Sequence, residues 1–520
     1  MPRTAIECDV KNLPQDVETC HEIIDDLVRQ VQQLSHRLQL LLRQRFGPSA
    51  EKIDPEQLKL FAEEVLERGE GQGRDNFREP PEAITVAKHK RNGRRKLPPE
   101  LPRIRIEHDV PEEEKNCPCC GSMRTVFGEE RSEQLEYEPA KVFVIEHVRL
   151  KYVCRQCEGE VLTADKPRQP IEKCLAGPGL LAQVAVSKYA DHLPLHRLER
   201  ILKRHGVDLH RSTMCDWMAG CASVLQPLHR LMRDRVLQSA VVHTDDTPVP
   251  VQEKGRGKTR TGRFWVYVGD QNNRYAVFDY TPTRSREGPL RRLEHFRGYL
   301  QADAYAGYAE LYTSGRVQEV ACWAHARRKF YDARLTDPGR CHQALAWIRR
   351  LYEIEREGRD HELTPEELRE LRQRKSVPLL NDFREWLDEM ACEVLPKSPM
   401  AEAIRYVRSR WESFTRYTTN GILAIDNNLS ERMIRCVALG RKNWLFAGSD
   451  RGGQTAAVLF SMLASCRLHE VEPYQWLRDV LRRISDIRMS RLEDLLPDRW
   501  KASRAAEDAT PAQAADTSTD

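Results

Sequence analysis

The first periodic signal along the chain is a heptad seam. Val17, Ile24, Val31 and Leu38 fall on one row, and Cys20, Leu27, Leu34 and Leu41 on the other. β-branched residues on the first row with mostly leucine on the second predict a parallel two-stranded coiled coil; a single amphipathic helix packed on its own domain is the alternative. Gly47-Pro48 ends that helix, and a shorter helical piece follows at 56–67. Residues 68–100 have no apolar period and read as a linker. Helical spacing returns in three pieces, 178–189, 195–205 and 212–225, with Ser212 placed to cap the last. The break Gly206-Val207-Asp208 before it suits a helix-turn-helix whose last helix enters a major groove, or a plain helical bundle.

From residue 238 the period shortens to two. SAVVHTD, RFWVYVGD and RYAVFDYT read as three consecutive strands, 287–296 as a helix, GYLQAD as a fourth strand, and HARRKFYDA, after 317–321, as the opening of another helix. This order predicts a ribonuclease H-like core with Asp245 ending the first strand and Asp303 ending the fourth, on neighbouring central strands. Residues 340–418 are charged and amphipathic, a helical insertion. Glu431 then lies on a helix that starts near Asp426-Asn427-Asn428, and 455–495 read as closing helices.

The expected architecture is multidomain α+β. An N-terminal helical, coiled-coil region (1–67) and a basic linker (68–100) precede a zinc ribbon (101–170) and a helix-turn-helix-like helical module (171–235). A ribonuclease H-like α/β catalytic core (236–455), C-terminal helices (456–500) and a disordered tail (501–520) complete it. A chain of 520 residues is long enough for several such units.

The net charge of +4 hides a local cluster, Lys88, Lys90, Arg91, Arg94, Arg95 and Lys96, as expected of a localised nucleic-acid footprint or a solvated linker. Most of the 15 cysteines are scattered singly, as reduced thiols are. The chain has no signal-peptide pattern and no apolar run of the roughly 20 residues that span a bilayer. A cytoplasmic, nucleoid-associated protein with no membrane partner is expected. Four cysteines form two Cys-x-x-Cys knuckles, Cys117 with Cys120 and Cys154 with Cys157, which predict one structural Zn2+ in tetrahedral thiolate coordination. Cys119 is the spare thiol, with a swap left open, and the alternating VFVIEHVRLKYV between the knuckles reads as strands.

Asp245 and Asp303 after apolar strands, facing Glu431 on a helix, are what a site needs to hold two divalent metals against a phosphodiester. Neighbours on a strand point to opposite faces, which leaves only one of Asp245 and Asp246 as a ligand. Asp426 competes with Glu431, although an Asp before Asn-Asn is also a natural helix cap.

HTDDTPVPV, ADAYAGY, CWAHARRKF and IDNNLSERMIR with GRKNWLFAGS, together with RQRFGPSAEK and SKYADHLPLHR, resemble the transposases of the insertion-sequence 66 family over most of the chain. The resemblance implies Asp-Asp-Glu chemistry with Asp245, Asp303 and Glu431 as catalytic residues and ligands of two Mg2+ (or Mn2+) ions. It implies cleavage at transposon ends, strand transfer to target DNA and small accessory transposition proteins as partners; the coiled coil predicts a homodimer. His325 stands near the site against a phosphate or the attacking water, or is a satisfied core histidine; Arg441 and Lys442 would meet DNA backbone. Asp246 departs from the family's usual glutamate. The alternatives are a non-catalytic or domesticated DNA-binding protein and a ribonuclease H-like nuclease without strand transfer.

Overall fold

A computed structural model describes residues 142–147, 151–152, 162–163 and 168–509, apart from 254 and 256. The heptad seam, the basic cluster at 88–96, the four knuckle cysteines and the tail from 510 lie outside the described residues. Of the two compact units into which the chain divides, Lys52–His147 contributes only 142–147. That segment, expected as a strand, is exposed and without regular structure: alternation makes a strand only where a partner supplies the ladder. In the other unit the two-residue strand Lys151–Tyr152 pairs antiparallel with Leu162–Thr163.

Three helices open the described core: α1 (Pro178–Tyr189), α2 (Leu195–Arg204) and α3 (Arg211–Val236). Pro178 presets the first turn of α1, and α2 buries Leu195, Leu198 and Leu202 on one stripe. The last helix differs from the sequence reading. It is capped by His210, whose ring accepts from the Ser212 N–H, and it runs through Pro227 to Val236. Buried residues from Met214 to Val236 line its length, so it is a core helix, with an exposed start at Arg211, Ser212, Cys215 and Asp216.

The central sheet has five strands, β1 (Val241–Val251), β2 (Arg260–Val268), β3 (Ala276–Thr281), β4 (Gly298–Gln301) and β5 (Val317–Val320), in the order β3-β2-β1-β4-β5. β1, β2 and β3 are antiparallel, whereas β4 and β5 run parallel to β1. Helices α4 (Glu287–Arg292) and α5 (Ala309–Thr313) flank β4, and α6 (Trp323–Asp332) follows β5. α4 stops at Arg292, short of the expected 296.

β1 extends six residues past Asp245, as a ribbon with β2. Two prolines tolerate this. The carbonyls of Pro248 and Pro250 face away from β2, accepting from Arg441 and from the Ala447 N–H. Their ring nitrogens face the same outer side, so no ladder bond is lost.

The edge strand β3 is protected by side chains. Ser461 Oγ and Ser465 Oγ accept from the Phe278 and Ala276 N–H groups, and His229 Nε2 lies 3.1 Å from the Phe278 carbonyl. Burial lowers the His229 pKa to about 4, which keeps the ring neutral.

Five helices form the insertion: α7 (Pro338–Asp360), α8 (Pro365–Leu371), α9 (Val377–Glu393), α10 (Pro399–Arg408) and α11 (Trp411–Thr415). Then come α12 (Asn428–Trp444), α13 (Asp450–Leu468), α14 (Pro473–Arg483) and α15 (Pro497–Ala509). α15 covers 501–509, which the sequence reading gave to a disordered tail; Trp500 anchors it by donating to Asp479.

Among the described residues two hydrophobic cores result. In the first, Phe460 of α13 meets Tyr189 of α1, Phe264 of β2 and Phe278 of β3 at centroid distances of 5.2, 5.9 and 5.7 Å. The second joins β5 and α6 to the insertion, with Trp323 packed on Phe414 at 4.8 Å. Neighbouring Val241 and Val242 of β1 enter different cores, as strand alternation requires.

Within the second core, Arg372 is 1% exposed and doubly paired with Glu355, both contacts at 2.7 Å. It also donates to the carbonyls of Tyr417, Asn420 and Leu423. A Cβ on Gly421 would lie 1.7 Å from the Pro365 carbonyl oxygen, so only glycine allows that close approach. The insertion thereby holds the loop that leads into α12.

Candidate active site

Parallel pairing of β1 with β4 aligns Val241 with Tyr299 and ends with His243 opposite Gln301. Asp245 and Asp303 each lie two residues beyond that last pair, so the register sets them level. The ligand oxygens of Asp245, Asp246 and Asp303 all fall within 4.8 Å of one another. Adjacency on the strand therefore does not keep Asp246 out of the group, contrary to the alternation argument.

The three acids are held differently. Burial pushes the Asp245 carboxyl up to about 7, reinforced by Asp303, Asp246 and Glu431 and opposed by a 2.8 Å hydrogen bond from the Asp246 N–H. Burial and Asp246 also raise Asp303, while His325 and Arg284 pull it down. Asp246 is neutralised by two guanidiniums, Arg263 at 2.6 Å and Arg284 at 2.8 Å. Arg284 also lies 3.8 Å from Asp303 and 4.4 Å from the Tyr305 ring centroid.

Glu431 sits in the first turn of α12, 3.6 Å from both His325 Nε2 and Arg328 Nη2. Its ligand oxygen groups with Cys322 Sγ and His325, again within 4.8 Å, rather than with the aspartates. Its charge still reaches Asp245, whose carboxyl it raises. Glu431 Oε1 and His325 Nδ1 are buried with no hydrogen-bond partner. The chemistry of this donor set fits a cation.

Asn427 ties the pieces together. Fully buried, it caps α12 in position only, because its side chain turns to β1 instead. Its Nδ2 donates to the Thr244 carbonyl at 2.8 Å, and its Oδ1 lies 3.2 Å from His243 Nδ1. Its backbone N–H donates to Cys322 Sγ at 3.1 Å, and its carbonyl accepts from the Glu431 N–H. One residue thus links the strand of Asp245, the start of α6 and the helix of Glu431.

The other sequence candidates fall elsewhere. Asp426 is occupied by Tyr352 and Asn428. Arg441 is spent on Thr247 and Pro248 of β1, whereas Lys442 is exposed. Asp246, Arg284, Cys322 and Asn427 belong to the site and were missed as site residues. Asp246 stands beside Asp245, Cys322 opens CWAHARRKF and Asn427 lies in IDNNLSERMIR, whereas Arg284 lies in no such motif.

A family model described as "Transposase IS66 family" matches residues 173–455. The "zinc-finger binding domain of transposase IS66" matches 114–158, which contains all four knuckle cysteines, and the "IS66 C-terminal element" matches 461–497. A fourth, "Transposase C of IS166 homeodomain", matches 33–106. Among curated proteins, the uncharacterized protein y4jD of Sinorhizobium fredii is 31% identical over 96% of this chain and 99% of its own. The uncharacterized protein y4hP of the same organism is 36% identical over 80% of this chain and 78% of its own.

Proposed function

Because this chain belongs to the IS66 transposase family, we propose that it is a metal-dependent Asp-Asp-Glu transposase that cleaves the ends of an insertion sequence and joins them to target DNA. The observation that carries this reading is the level placement of Asp245, on β1, and Asp303, just past the end of its parallel neighbour β4, with the charge of Glu431 felt at Asp245. The strand order β3-β2-β1-β4-β5 supports a ribonuclease H-like core.

Asp245, Asp303 and Glu431 would hold two Mg2+ or Mn2+ ions, which when bound supply Lewis-acid stabilisation of the attacking and leaving oxygens. The reaction is two in-line displacements at phosphorus. Water first replaces the 3′ oxygen at the transposon end; the freed 3′-hydroxyl then replaces a bridging oxygen of the target. The protein's own part is positioning and charge. Burial of Asp245 and Asp303 leaves their carboxylates poorly solvated, so they favour a cationic partner. Arg284, its side chain 42% exposed, can lend its guanidinium to a phosphate oxygen without leaving Asp246. His325 and Arg328 orient Glu431.

Cys117, Cys120, Cys154 and Cys157 would ligate the zinc of the zinc-finger region. Substrate ends would be met by that region, by the basic residues 88–96 and by the exposed start of α3, with Lys442 on DNA backbone. Dimerisation through the heptads and the small accessory proteins complete the proposal.

The test compares wild type with Asp303→Asn on a duplex carrying the element's own end, in magnesium. Cleavage to a 3′-hydroxyl and joining to a second duplex by wild type alone is expected. Cleavage retained in Asp303→Asn overturns the site assignment, and cleavage that never leads to joining makes the protein a nuclease.

A further inference from the structure

Two helix starts converge beside the aspartates. Cys322 is the N-cap residue of α6 and His325 follows three residues later, a spacing that brings both side chains to the same side of the first turn. Glu431 enters from the first turn of α12, and the Asn427 N–H to Cys322 Sγ bond locks the two starts together. A sulfur, an imidazole nitrogen and a carboxylate oxygen thus lie within 4.8 Å of one another, and in the same cluster His325 Nδ1 and Glu431 Oε1 are buried without a hydrogen-bond partner. Buried polar atoms that find no protein partner are an anomaly that a bound ion removes.

We propose that Cys322, His325 and Glu431 form a metal site separate from the aspartate cluster, suited to a borderline-soft divalent ion of the zinc or cobalt class. Three protein donors of mixed S, N and O type, with one position open, match the coordination such ions adopt where they remain accessible to a ligand. The aspartate cluster offers oxygen alone and suits magnesium or manganese. Burial pushes the Cys322 thiol up to about 12, against hydrogen bonds from the Asn427 and His325 N–H groups, so an ion binds there by displacing the thiol proton. The cations facing the site are Arg328, 3.6 Å from Glu431, and Lys329; the facing acids outside it are Asp303 and Asp426. Arg328 has a side chain 61% exposed, so it can turn outward when an ion takes its place.

The proposal shares Glu431 with the catalytic reading and otherwise stands apart from it. Its test uses full-length protein preloaded with one equivalent of zinc to fill the cysteine knuckles, then titrated with Co2+ while thiolate-to-cobalt charge-transfer absorption is followed. Wild type should show saturable absorption that Cys322→Ser abolishes. His325→Gln, at a residue not fully buried, should weaken cobalt binding at least about tenfold, the lower end of what losing a mere ligand-orienting partner costs. Asp303→Asn should keep the absorption while losing cleavage. No absorption in wild type, or equal absorption in Cys322→Ser, overturns the proposal. Absorption intact while Asp303→Asn still cleaves overturns the catalytic reading and leaves this site standing.

Discussion

At the scale of the residue, the proposed chemistry turns on Asp245. Its carboxyl, raised by burial to about 7, is largely protonated below neutrality. Protons therefore compete with metal, and magnesium affinity should rise with pH through about 7, approaching tenfold per unit on the acid side. Calorimetric titration at pH 6 and 8 checks this; equal affinities would refute it. The same shift has a stability sign. An acid with a raised folded pKa binds more protons folded than unfolded between about 4 and 7, so metal-free stability falls as pH rises through that window. Asp245→Asn should thus stabilise metal-free protein at pH 8, by on the order of 3 kcal/mol, read by denaturant unfolding. The level placement of Asp245 and Asp303 was legible because each follows an apolar strand. Strand alternation argues against Asp246, yet its carboxylate groups with those of Asp245 and Asp303. Arg284 was illegible, since its partner Asp246 lies 38 residues away in sequence.

At the scale of the element, α12 delivers Glu431, and its orientation rests on Asn427. The Asp-Asn-Asn run announced a helix start but not the bond that leaves the helix for β1. Asn427→Ala would leave the buried Thr244 carbonyl without its donor, at a cost of about 1–3 kcal/mol. Cleavage should fall at least tenfold while end binding is unchanged, measured by gel shift beside single-turnover cleavage; unaltered cleavage would show that the link does not position Glu431. Element types were largely legible from their periods, and element ends were not. β1 outran its expected end because its prolines face outward, and α3 outran Leu225 because Pro227 did not end it. Residues 142–147 had the strand pattern without a partner.

At the scale of the whole molecule, the amphipathic insertion was recognisable as helices, but its use as a brace was not. That use depends on one buried arginine and three carbonyls that approach only in the fold. Arg372→Met strands Glu355 as a buried unpaired charge, and a loss of about 3–5 kcal/mol is expected in denaturant unfolding. Hydrogen exchange should quicken over 417–431 and stay unchanged in α1 and α2. Uniform quickening would mean that the insertion does not specifically support the Glu431 loop.

The serines that seal the edge of β3 come from α13, 183 and 189 residues later in the chain. During synthesis the ribosome releases β3 long before those serines exist, and Glu431 emerges between the two. A nascent chain carrying both aspartates thus has an open sheet edge and no third carboxylate. The edge can close only after the glutamate has been made. A product terminated early would then expose an unsealed strand edge and be a target for proteases.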